Sequence, residues 1–147
     1  MLENGAQRMI YHINRVKMKA NAAPERIEAA LESWRNQGRS VPSVKSFLVG
    51  RDLGGDFGGD FEYSAVFAVE DLDGLFEYLT HPTTHETDHL GLDLVEDLAI
   101  FDVSDDDDPE LNAKIQELHR RRNELNPDVA GMLADVPTYR GAGVDDR

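Results

Sequence analysis

The run Phe61-Glu-Tyr-Ser-Ala-Val-Phe-Ala-Val-Glu70 constrains the fold most. Phe61, Tyr63, Ala65, Phe67 and Val69 share one face, the period-two pattern of a strand with one buried side. Asp71 follows at once as an N-cap, and Leu72, Leu75, Phe76 and Leu79 recur at helical spacing. Pro82 closes that helix near Thr80, because the residue before a proline is pushed out of helical geometry. A strand running straight into an amphipathic helix has to be completed by further strands.

Those strands are legible on either side. Met9 to Lys19 alternates, with Ile10, His12, Asn14, Val16 and Met18 on one face. Two polar residues in the middle of an apolar face need partners once buried. They are either satisfied core groups or the polar floor of a pocket. Pro24 to Gln37 reads as a helix with Ile27, Ala30, Leu31 and Trp34 on its stripe, Trp34 as core, and Gly38 as its stop. Val44 to Arg51 is a second strand, and the duplicated Gly-Gly-Asp-Phe of Gly54 to Phe61 is a mobile connection without the Gly-Lys-Ser/Thr of a phosphate loop. Thr83 to His89 reads as a short polar turn or helix, and Leu94 to Val103 as the last strand.

Strand, helix, strand, strand, helix, strand is the split βαβ order of an α+β, ferredoxin-like domain: a four-stranded antiparallel sheet with two helices on one face. The other sheet face would be bare in a monomer, so a partner is expected there. The expected domain covers 9–103. An acidic linker and helical extension occupy 104–147, with Asp108 as N-cap, Pro109 in the first turn, and Leu111, Ile115, Leu118 and Leu125 as the stripe of a helix ending at Asn126. A shorter segment around Val129, Met132 and Leu133 follows, and Gly141 to Arg147 reads as frayed.

With 15 basic and 29 acidic residues the formal charge is −14, which disfavours phosphate backbones and anionic membranes alike. No cysteine is present, which removes disulfides, thiolate catalysis and cysteine-bound zinc. With neither a leader nor a bilayer-length apolar stretch, the chain is expected to be cytoplasmic.

Histidine carries the chemistry. His81, His85 and His89 are spaced by four, and His85 to His89 spells H-E-x-x-H, the zinc-protease pattern. The helix available is short, Asp88 charges an inner position, and no third-ligand segment follows, so a protease is not the expectation. Metal binding by His81, His85 and His89 is a remote alternative. A second constellation, His12, Asn14, Tyr78 and His81, would meet between the sheet and the second helix. There imidazole can move a proton while phenol donates to a developing oxyanion.

Met9-Ile-Tyr-His-Ile13, Val41-Pro-Ser-Val44, Val49-Gly-Arg51, Tyr78-Leu-Thr-His-Pro82 and Ile100-Phe-Asp-Val103 resemble the stress-responsive A/B barrel (Dabb) family. The resemblance implies a ferredoxin-like protomer whose sheet packs on a second copy, giving a homodimeric α/β barrel. It also implies a small-molecule site and no organic cofactor. The family includes plant stress proteins and an olivetolic-acid-type polyketide cyclase. Of the cyclase's important positions, the strand-one histidine falls on His12 and the tyrosine on Tyr78. The third, a histidine, falls on Thr84, with His85 one residue later. His12 and Tyr78 are therefore the expected catalytic pair, and Asn14, Val16, His81, Thr84 and His85 the expected substrate contacts. The expected function is a cyclase or lyase acting on a carbonyl-bearing or aromatic molecule, with a non-catalytic stress or ligand-carrier protein as the alternative.

Overall fold

The computed structural model describes residues 8–55 and 59–141. The order is β1 (Ile10–Met18), α1 (Pro24–Ser40), β2 (Ser46–Arg51), β3 (Tyr63–Val69), α2 (Leu72–Thr80), α3 (Pro82–Gly91), β4 (Val95–Ser104), α4 (Leu111–Leu125), α5 (Pro127–Ala134) and β5 (Thr138–Gly141). The sheet runs β2-β3-β1-β4-β5. Its first four strands are mutually antiparallel, as the ferredoxin-like order requires, and β5 adds to the β4 edge in parallel. Part of the frayed end expected from sequence is thus a paired strand. Gly141 suits its terminus, with φ of 144° and the Ile100 backbone where a Cβ would stand. Residues 142–147, and Asp56 to Gly58 of the duplicated loop, lie outside the described residues.

Two helix boundaries differ from the sequence reading for local reasons. α1 runs through Gly38 to Ser40, because Gly38 is a packing glycine: a Cβ there would collide with the Phe47 ring from β2. Thr83 to His89 belongs to the continuous helix α3. His81 sits between α2 and α3 with extended backbone, as a residue before proline must, and its Nδ1 accepts from the Thr83 N–H at 3.1 Å. Ser33 and Thr87 then share a 2.6 Å hydroxyl bond that docks α3 on α1.

The acidic run is more structured than a solvated linker. Ser104 Oγ accepts from Asp106 N, Asp106 from Asp108 N, and Asp108 from Glu110 N, a chain of side-chain-to-backbone turns leading into α4. Asp108 caps this turn and not the helix, which has Glu110 at its N-cap and begins at Leu111, so Pro109 lies in the turn and outside the helix. On α4 the inward residues are Ile115, Leu118, His119 and Arg122, while Leu125 stays 64% exposed.

The apolar interior divides in two. Ile10 joins Val41, Phe67, Val69, Leu75, Leu79, Ile115 and Leu118 in one cluster. Val16 and Met18 join Ala30, Leu98, Ile100, Val129, Leu133 and Tyr139 in the other. The extension therefore supplies part of both, and Trp34 packs against each. Between Ile10 and Val16 the same face of β1 carries His12 and Asn14, both buried. Fully burying one large apolar side chain is worth roughly 1.5–3 kcal/mol, so the two flanking clusters can hold a polar strip that would not collapse by itself.

On the opposite sheet face the register lines up Leu48, Val66, Ile13 and Phe101 as a row crossing four strands. Tyr11 and Val103 extend it, and Tyr11, Leu48, Phe101 and Val103 are exposed.

Candidate functional site

The seam between the two clusters is a cavity of about 70 Å³, several times the space one ordered water needs. His12, Asn14, Val16, Tyr78 and Thr84 all border it. His81 and His85 do not: His81 caps α3, and the His85 ring nitrogen Nε2 meets Asp128 at 2.7 Å. Thr84 is buried, but its hydroxyl donates to the Tyr78 carbonyl at 2.6 Å, which binds the α2–α3 junction together.

The β1–β4 ladder sets His12 directly opposite Asp102. Leu98, Ile100 and Asp102 alternate onto the inner side of β4, so the carboxylate replaces what would be the next core residue. His12 Nδ1 and Asp102 Oδ1 are 2.9 Å apart with both side chains almost fully buried. A carboxylate accepts only, so neutral His12 donates from Nδ1 and keeps the lone pair on Nε2. This is the orienting arrangement that turns an imidazole into a directed proton acceptor. Asp102 was visible in sequence only as part of an alternating strand.

Tyr78 lies beside this dyad, its ring 5.3 Å from the His12 ring and 4.9 Å from Phe67. Burial holds its phenol well above the usual range, so it stays protonated and acts as a donor. Its present acceptor is Gln37 Oε1 at 3.3 Å, a long bond that a better acceptor would displace.

The extension brings groups that sequence reasoning missed. His119, wholly buried on α4, stacks at 5.6 Å from His12. Burial, then the neighbouring His12 and Arg122, push its imidazole down to about 2, so it is neutral. Neither of its ring nitrogens has a hydrogen-bond partner among the described residues, and nor has Asn14 Nδ2. Arg122, one turn on, is 5% exposed; its Nε donates to Asn123, and no carboxylate lies within ion-pairing distance among the described residues. The only signal in sequence was that polar residues occupy the stripe of an amphipathic helix. Asp88 of α3 borders the cavity too, and burial pushes its carboxyl up to about 6 against the pull of Arg122. The charge on an inner helix position, which argues against a zinc-protease helix, marks a cavity residue.

What the fold and cavity define is a ferredoxin-like α+β protein with a largely apolar pocket between sheet and helices, into which a few polar groups are set. The family model of the stress responsive A/B barrel domain matches residues 10–105, and the chain belongs to this Dabb family. Its extension, with His119 and Arg122, lies beyond the matched residues. Solved structures of the same fold include a dimeric ferredoxin-like protein of unknown function from Thermobifida fusca, 20% identical, with a TM-score of 0.59 over 71% of this chain and 99% of that one. A hydroxynitrile lyase from Passiflora edulis is 14% identical, with a TM-score of 0.59 over 68% and 95%. A Dabb family protein from Mesorhizobium loti is 17% identical, with a TM-score of 0.57 over 66% and 96%. No functionally curated protein matches the chain by sequence. Among the described residues no helix is long and apolar enough to cross a membrane.

Asp88 gives this site a pH signature. Its carboxyl titrates near 6 in the folded protein against an ordinary 3.8, so across that window the fold holds a proton that the unfolded chain releases. Stability contributed by Asp88 therefore falls as pH rises from about 4 to 6 and levels off above. Urea denaturation of chelator-treated protein should show the difference between wild type and Asp88→Asn declining through that window. An unchanged difference from pH 4 to 7 would contradict the assignment.

Proposed function

We propose that the protein binds a small carbonyl-bearing or aromatic molecule in the cavity between its two cores, and that it is an acid/base enzyme of lyase or cyclase type. The buried His12–Asp102 pair carries this reading. In it, His12 Nε2 removes a proton from the substrate, from a hydroxyl for cleavage or from a carbon next to a carbonyl for ring closure. The same atom returns the proton to the leaving or newly formed group. Tyr78, kept protonated by burial, donates to the oxygen on which negative charge develops. Arg122 adds a buried positive charge with no carboxylate within ion-pairing distance among the described residues, although Asp88, which also borders the cavity, feels its pull; it favours a substrate with an anionic oxygen or one that acquires one.

Support comes from three directions. The unpartnered nitrogens of Asn14 and His119 are costly when buried, roughly 1–3 kcal/mol each, unless a guest or ordered water takes them up. By the resemblance of their motifs, His12 and Tyr78 correspond to the strand-one histidine and the tyrosine of the olivetolic-acid-type cyclase. A protein of the same fold is a hydroxynitrile lyase. One observation favours a second reading, a ligand carrier without turnover: Thr84 stands where the cyclase has a further histidine, and its hydroxyl is committed to the Tyr78 carbonyl.

Calorimetry with benzoate and turnover assays on aromatic hydroxynitriles and on polyketide-like β-keto lactones separate these. His12→Ala should leave benzoate affinity within about threefold yet lower turnover by ~10²–10⁴, the usual contribution of a general base. Arg122→Gln should weaken benzoate tenfold or more. Benzoate binding with no turnover of any of these compounds points to the carrier. No binding in the cavity at all contradicts both readings.

The apolar row across the open sheet face is proposed as the contact with a second copy; ferredoxin-like proteins of the same fold are described as dimeric. The acidic, cysteine-free chain fits a cytoplasmic protein. Sedimentation should give twice the 16.4 kDa chain mass, and Phe101→Glu, which puts a charge at the exposed β4 end of that row, should give monomer. Monomeric wild type at micromolar concentration would contradict the dimer.

A further inference from the structure

A second histidine cluster lies outside the cavity. His85 and His89 are one turn apart on α3, their rings 4.5 Å apart. Both direct Nε2 at one atom, Asp128 Oδ2, at 2.7 and 2.6 Å. Asp128 belongs to the first turn of α5, about forty residues later in the chain, so the three groups join the α3 wall of the cavity to the C-terminal extension. His81, though in register with the other two, is not part of this: its Nδ1 is committed to the Thr83 N–H.

We propose that His85, His89 and Asp128 form a binding site for a divalent transition-metal ion of the zinc type, which clamps α5 onto α3. Two imidazoles and a carboxylate suit such an ion in ligand type and number, leaving a fourth position for water. Two features of the structure argue for it. The ligand atoms all lie within 4.8 Å of one another and come from two elements, which fixes a ring of donors. The side chains keep 41–46% of their surface open, so an ion can enter from solvent without disturbing the core. Ligands at about 2.0–2.1 Å from a tetrahedral ion stand about 3.3 Å apart. Each imidazole therefore has to open from the carboxylate by about 0.6 Å, a small rotation for exposed side chains.

The clamp has a consequence for the cavity. α3 contributes Thr84, Thr87 and Asp88 to its wall, and α4, which leads into α5, contributes His119 and Arg122. Occupancy would restrain the extension against the family-matched part of the fold without touching the His12–Asp102 pair.

The test uses the full chain, purified without a histidine tag and stripped with chelator, titrated with Zn²⁺ and with Co²⁺. One equivalent should bind, and Co²⁺ should give the visible absorption of a four-coordinate site. Hydrogen exchange should slow across residues 127–134. His85→Ala, His89→Ala and Asp128→Asn should each weaken binding at least tenfold with circular dichroism unchanged. His81→Asn, which keeps a capping acceptor, should bind as wild type does. Absence of stoichiometric binding overturns the proposal, as does full affinity in a His85→Ala/His89→Ala double variant, which would put the ion elsewhere. Binding without added protection in 127–134 overturns the clamp.

Discussion

The structure depends on one register. Because β1 and β4 pair so that His12 faces Asp102, a buried imidazole has its ionic partner on the adjacent strand and needs no solvent to satisfy it. A shift by a single residue would turn Asp102 to the open sheet face and leave the buried His12 ring without its carboxylate partner. The cost of that orphaned polar group is part of what specifies the pairing. It also explains why a strand face with Ile10, Val16 and Met18 tolerates two polar residues at its centre.

The pair would be of little use in a closed core. It becomes a site because the apolar interior is split, with one cluster gathered around Phe67 and Leu75 and the other around Leu98 and Val129. Trp34 spans both, and the gap between them is the cavity. The Dabb match ends at residue 105, yet α4 closes over this gap with His119 and Arg122. In this chain the family's sheet supplies the buried His12–Asp102 pair, and the extension supplies a neutral imidazole and a buried cation. Differences in ligand between this protein and shorter relatives are expected to follow the extension.

Much of the fold was legible in the sequence, since period-two and helical patterns are set by burial that each segment achieves on its own side. Phe61 to Glu70, Asp71 as a cap and Pro82 as a stop are of this kind. Gly38 was not, because its meaning depends on a ring from β2, and β5 was not, because Thr138 to Gly141 forms a strand only where the β4 edge is available. The same division holds for the site. His12, Asn14 and Tyr78 stood out as polar groups on apolar faces. Asp102, Asp88, His119 and Arg122 became visible only once strands and helices distant in sequence were brought side by side. The H-E-x-x-H pattern lacks a third ligand in sequence, whereas in three dimensions Asp128 arrives from the extension.

The central claim is the directed imidazole of His12, and nitrogen-15 NMR of histidine-labelled protein tests it most directly. The account predicts that the neutral His12 ring carries its proton on Nδ1, shared with Asp102, and leaves Nε2 bare. In Asp102→Asn, with the protein still folded, that tautomer should no longer be held. A His12 ring with its proton on Nε2 in the wild-type protein, or one unaffected by Asp102→Asn, would contradict the account.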